Sequence, residues 1–178
     1  MEEPQLLEKP DPLQEKIIEA AYDFAETLRS DIDPMLDKDT NIKVCRTLTV
    51  GAAKLLESIG HKPVIKVKLN KRGWVYHYFL EDPDLGIAMD FSPIAHRVGF
   101  TEIGFQESDE VTNLLARETL VIPLDSQEYA VLENNGTSEI REKGITDTPG
   151  GKREAYAWDH IHLDKMPQTI REKLEVLK

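Results

Sequence analysis

The chain has 178 residues, 40% of them hydrophobic and 31% charged, the proportions of an ordinary globular protein of one domain. Its formal net charge of −11 sets it against nucleic acid and anionic membrane surfaces by simple repulsion. A single cysteine excludes an internal disulfide and any multi-cysteine zinc site, and no stretch approaches the ~20 apolar residues of a membrane span.

Residues 1–10 read as a flexible, acidic lead without the apolar run of a secretory signal, and residues 11–178 as one domain. The expected location is the cytoplasm, where a lone thiol stays reduced. The segment "DPLQEKIIEAAYDFAETLRS" predicts a helix that Asp11 caps and Pro12 starts. Leu13, Ile17, Ala20, Phe24 and Leu28 recur at spacings of three and four, giving one apolar stripe. A polar, proline-bearing breaker follows, and a second helix is predicted over residues 42–59, ending at Gly60. Val44, Leu48, Leu55 and Ile59 share one face of it. Cys45 falls in its first turn, where unpaired backbone N–H groups and the positive dipole end favour a thiolate over a thiol.

Beyond Gly60 the apolar period changes to two. Ile65, Val67 and Leu69 alternate with Lys66 and Lys68, and Trp74, Tyr76 and Tyr78 alternate with Val75, His77 and Phe79. With "IAMDF" after the turn "EDPDLG", these predict three strands, 63–69, 74–80 and 87–91, in an antiparallel meander. "TLVIPL" and "EYAVLE" also read as strands, residues 144–154 as a loop, and "DKMPQTIREKLEVLK" as a helix with Met166, Ile170, Leu174 and Leu177 on one face.

If the hairpin is symmetric about residues 81–86, Leu80 faces Ile87, and counting outward puts His77 directly opposite Asp90. That pairing has a chemical use. A thiol nucleophile needs a base, and an imidazole serves only in the right tautomer and orientation, both of which a carboxylate on its second nitrogen supplies. His160 and His162 in "DHIHLD" share a strand face, but no third or fourth ligand has recognisable spacing, so neither a metal nor another cofactor is expected. His96 reads as loop surface.

A helix-borne cysteine, then a strand histidine, then a strand aspartate is the chain order of the transglutaminase-like, papain-related cysteine enzyme superfamily. The stretch "CRTLTVGAAKLLESIGHKPV" resembles the family's cysteine helix at Cys45, Arg46, Leu48, Leu55, Leu56, Ile59 and Gly60. "HYF" resembles its "H-A-W", and "MDFSP" its "V-D-P", so that the likeness spans about residues 40–93. The chain departs from the pattern at Thr47, where the family often has an acidic residue, and at Lys43-Val44, where it usually has glycine before the cysteine.

The resemblance implies an α+β fold with a transglutaminase-like/papain-like core, in which the cysteine-bearing helix packs on an antiparallel sheet. It implies Cys45 as nucleophile, His77 as base and Asp90 as the residue that orients it. One oxyanion donor would be the backbone N–H of Cys45, and Asn41 or Asp39 would supply or orient another. The activity implied is hydrolysis, deamidation or acyl transfer at a peptide or glutamine amide, with a peptide or protein as substrate. A binding or scaffold protein that keeps the fold without the chemistry is the alternative. Nothing in the sequence specifies an oligomeric state.

Overall fold

The computed structural model describes residues 11–32, 44–134, 140–143 and 166–178. Asp39 and Asn41, the loop 144–154, and His160 and His162 lie outside the described residues.

Helix α1 spans Pro12–Ile32. Asp11 caps it, accepting the Leu13 N–H at 3.0 Å, which satisfies one of the donors that every helix start leaves unpaired. Ala21, Phe24, Ala25 and Leu28 are wholly buried, but Leu13 is 64% exposed, because the core begins a turn later, at Ile17. Helix α2 spans Val44–Ser58 and carries Cys45 in its first turn. It ends where Gly60 takes φ +97° and the His61 N–H turns back to the Leu56 carbonyl at 3.2 Å, a backbone conformation that glycine alone adopts cheaply.

Five strands form one sheet: β1 Val64–Leu69, β2 Val75–Asp82, β3 Ile87–Asp90, β4 Leu120–Pro123 and β5 Ile140–Lys143. Their spatial order is β4-β3-β2-β1-β5, and every neighbouring pair is antiparallel. On one face, α1, α2 and the last helix, α6 (Gln168–Val176), pack against Ile65, Val67, Tyr78, Leu80, Ile87 and Met89. Met166, Ile170, Leu174 and Leu177 are all buried, as the period of three and four predicts. Each leucine that α2 buries here, Leu48, Leu55 and Leu56, contributes about 1.5–3 kcal/mol by leaving water.

The other face is also covered. Phe79, Ala88, Leu120 and Ile122 meet α3 (Arg97–Glu102), α4 (Asp109–Leu115) and α5 (Gln127–Glu133) through Phe100, Leu114, Leu115, Tyr129 and Leu132. "EYAVLE" is therefore helix, not strand. Ser126 caps α5 by accepting the Tyr129 N–H at 3.1 Å, and Tyr129 and Leu132, three apart, form its inner face. Because this second layer exists, Lys66 and Lys68 are not a solvated stripe; they are 5% and 0% exposed. The fold is α+β, with the cysteine-bearing helix packed on an antiparallel sheet. No described helix is long and apolar enough to cross a membrane.

The register of the β2–β3 hairpin differs from the symmetric turn. Asp82 pairs with Ile87, Glu81 with Ala88 and Leu80 with Met89, so β2 runs two residues further and only residues 83–86 turn. Asp82 makes this tighter loop: its Oδ1 accepts the N–H of Asp84 at 3.0 Å and of Leu85 at 3.3 Å, and Gly86 closes the loop at φ +68°. At the other end of β2, Lys68 pairs with His77 but Leu69 pairs with Val75, which leaves Tyr76 as an extra residue in a bulge next to His77.

Candidate active site

Three segments bring the chemistry-bearing side chains together. Helix α2 supplies Cys45, which is 5% exposed; the start of β2 supplies His77, 0% exposed; the end of β3 supplies Asp90, 3% exposed. His77 Nε2 stands 2.7 Å from Asp90 Oδ2. The two are not directly opposed, since one step on from the Leu80–Met89 pair it is Phe79 that falls opposite Asp90. A register change of two keeps side chains on the same face, so His77 meets Asp90 along the diagonal. That distance, ~7–8 Å between backbones, is within reach of an imidazole and a carboxylate.

With Nε2 committed to Asp90, the ring nitrogen left for a thiol is Nδ1, which has no hydrogen-bond partner among the described residues. Cys45 is nonetheless close enough to help hold the imidazole's proton. Burial works against the charged ring, but the charge and hydrogen bond of Asp90, with Cys45 adding to them, raise the His77 pKa to about 9. Burial likewise opposes ionisation of Asp90, yet His77 and His96 hold its carboxyl well below the usual carboxylate range.

Asp90 is held from three sides. Its Oδ1 accepts the Ser92 N–H at 2.8 Å, and its Oδ2 takes His96 Nε2 at 2.7 Å as well as His77. His96 is thus not loop surface. Pro93–His96 forms a 3-10 turn that brings its last residue back over β3, wholly buried. The sequence carried a usable signal: a proline two residues after "DF" starts a short turn, and a histidine ending that turn lies within reach of the aspartate. Arg29 of α1 steadies the same segment, donating to the carbonyls of Phe91 and Glu118 and to Thr119 Oγ1, the last at 3.1 Å.

Lys68 is the other group that alternation alone misplaces. Its Nζ donates to the Leu132 carbonyl at the end of α5. Burial lowers its pKa to about 7, against the pull of Asp90 and Glu133.

His77, Asp90 and His96 offer ligand atoms within 4.8 Å of one another. They are therefore the described residues able to hold a metal ion. Direct hydrogen bonds already occupy the Nε2 and Oδ2 atoms that a cation would take. What the arrangement does without further groups is hold a proton on an imidazole next to a buried thiol, with a fixed carboxylate behind it. Comparison with protein-family models, with curated proteins and with solved structures gave no match to this chain.

Proposed function

We propose that the chain is a transglutaminase-like cysteine enzyme that attacks a peptide or glutamine amide with Cys45. In this reading the thiol proton rests on His77 Nδ1, and the thiolate Sγ bonds the carbonyl carbon as the carbonyl π pair moves onto oxygen. The oxyanion then collapses, the C–N bond breaks, and the leaving amine takes the proton from His77. Water, or an amine in a transfer reaction, releases the acyl group by the reverse steps, with His77 now acting as base. Asp90 stabilises the imidazolium, and once the Nδ1 proton has gone to the leaving amine it keeps the other proton on Nε2, so that Nδ1 still faces the sulfur.

The observation that carries this reading is the orientation of His77: one nitrogen bonded to a buried aspartate at 2.7 Å, the other unbonded among the described residues, with Cys45 near enough to raise its pKa. The position of Cys45 at a helix start adds to it. Asn41 and Asp39 remain candidates for positioning the oxyanion.

The test is the rate of Cys45 alkylation by iodoacetamide across pH 5–9. A rate at pH 6 at least tenfold above that of a free thiol is expected, because a thiolate paired with an imidazolium persists where a free thiol is protonated. A rate equal to that of glutathione at every pH sinks the proposal.

The near-complete burial of Cys45 and His77 favours a second reading, a binding or scaffold protein with this fold. It makes the opposite forecast: slow alkylation throughout, and a loss of stability in Cys45→Ala.

A further inference from the structure

The seven residues from Asp90 to His96 do more than leave the sheet. The Ser92 N–H ties Asp90 Oδ1 at 2.8 Å, Pro93 opens the 3-10 turn, and His96 at its end returns to Asp90 Oδ2 at 2.7 Å. The His96 ring stands edge-on to His77, centroids 4.6 Å apart at 72°, and tilts against Phe79 at 5.6 Å. A surface loop with no bearing on the site has no reason to bury a second imidazole here.

We propose that His96 is a positioning residue of the site, a neutral hydrogen-bond donor that fixes the Asp90 carboxylate in the orientation His77 needs. The inference deepens the cysteine-enzyme reading and rests on it.

Geometry makes the first argument. The Ser92 N–H holds only Oδ1, and Lys68, whose charge acts on Asp90, is a competing attraction for the oxygen that His77 needs. His96 donates to that same Oδ2 from the 3-10 turn, so that two rings from two segments fix its direction.

Charge makes the second. Two imidazoliums and the Lys68 charge against one carboxylate and one thiolate would leave a buried net positive charge. Only one of the two rings is therefore charged at neutral pH. His77 is that ring. Burial, with the charges of His77 and Lys68, outweighs Asp90 at His96 and lowers its pKa to about 4. A neutral His96 must carry its hydrogen on Nε2 to donate to Asp90, so the aspartate fixes the tautomer of that ring.

The experiment compares wild type, His96→Phe and His96→Gln by iodoacetamide alkylation of Cys45 across pH 5–9. Phenylalanine keeps the ring volume and removes the donor, whereas glutamine places an amide donor near the lost Nε2. The expected result is a wild-type rate at pH 6 well above that of a free thiol, a fall of tenfold or more in His96→Phe, and recovery to within about threefold in His96→Gln. Folded variants that both react like wild type overturn the inference and leave the cysteine-enzyme reading standing. Two equally slow variants also overturn it, because ring shape rather than donation would then be what matters. A wild-type rate no higher than that of a free thiol overturns both readings together. If His96→Phe does not fold, nitrogen shifts of histidine-labelled wild type decide: a neutral Nε2–H tautomer at His96 from pH 5 to 8 supports the role, and a charged ring or the Nδ1–H tautomer overturns it.

Discussion

His61 Nδ1 and Asp82 Oδ2 stand 2.8 Å apart, joining the end of helix α2 to the last residue of strand β2. Asp82 is 1% exposed and its other oxygen holds the β2–β3 turn. One carboxylate therefore sets both the helix–sheet junction and the hairpin register that places Asp90 near His77. Asp82→Ala removes the pair and both turn bonds, and should lower stability by about 3–4.5 kcal/mol, at the rate of ~1–1.5 kcal/mol per bond lost. Asp82→Asn, which keeps an oxygen for the turn, should lose less. Urea unfolding of the two variants checks the order; equal losses would mean that the turn bonds contribute nothing.

For the chemistry, Asp90→Asn is the most informative single change. Asparagine fits the space of the carboxylate but neither stabilises an imidazolium nor fixes its tautomer, and the equivalent change in a serine triad costs about 10⁴ in rate. Amide turnover should fall by a factor of that order while the protein stays folded. Cys45→Ala should abolish turnover at little cost in melting temperature, since the site lies at the start of α2. Turnover surviving in Cys45→Ala would end the nucleophile assignment.

His77 and Lys68 pull stability in opposite directions as pH rises. The folded pKa of His77, about 9, lies above its ordinary value of 6.5, so its contribution is complete below 6.5 and is lost as pH climbs through 9. The folded pKa of Lys68, about 7, lies below its ordinary 10.5, so the folded state is disfavoured below 7 and recovers on the way to 10.5. Across pH 7–9 the two oppose each other. Lys68→Met leaves His77 alone, and the urea midpoint of that variant should fall from pH 6.5 to 9 more steeply than that of wild type. A slope equal to or flatter than wild type would contradict the assignment. The slope is the readout, because the variant also gives up the bond to the Leu132 carbonyl.

Tyr129 buries its hydroxyl without a hydrogen-bond partner among the described residues, in a small cavity that Asp90 also lines. A buried polar group left unpaired costs about 1–3 kcal/mol. Tyr129→Phe should therefore keep or raise stability, by up to ~1 kcal/mol, where most core changes lower it. A clear fall in melting temperature would show that the hydroxyl has work to do in solution.

Much of the frame was legible in the residues themselves. The stripes of α1 and α6 and the alternation of β1 and β2 announce their elements because each buries one clear set of apolar positions. A symmetric turn misses the hairpin register by two because Glu81 and Asp82 look like turn residues, whereas Asp82 is a buried strand residue held by His61. "EYAVLE" reads as a strand because it is short and its period ambiguous, and the Ser126 cap makes it helix α5. Alternation by itself does not show Lys68 to be buried, and loop position puts His96 at the surface, for a common reason. Alternation and loop position describe a sheet with one wet face, and here a second layer covers it. Asp39, Asn41, His160 and His162 fall outside the described residues, so their roles rest on sequence alone.

The order of the strands has a consequence for how the protein is made. Cys45, His77, Asp90 and His96 lie within a stretch of about fifty residues, and β1, β2 and β3 join their immediate neighbours in the chain. Such local pairings form quickly and early, during synthesis if the ribosome is slow enough. The outer strand β5 and helix α6, which packs on α1 across most of the chain's length, add themselves only after the last segments emerge. The growing chain thus brings Cys45, His77, Asp90 and His96 together before the layer that secures them is complete. Over that interval Cys45 is most open to oxidation and to electrophiles, so nascent chains stalled near residue 130 are where its modification would be found.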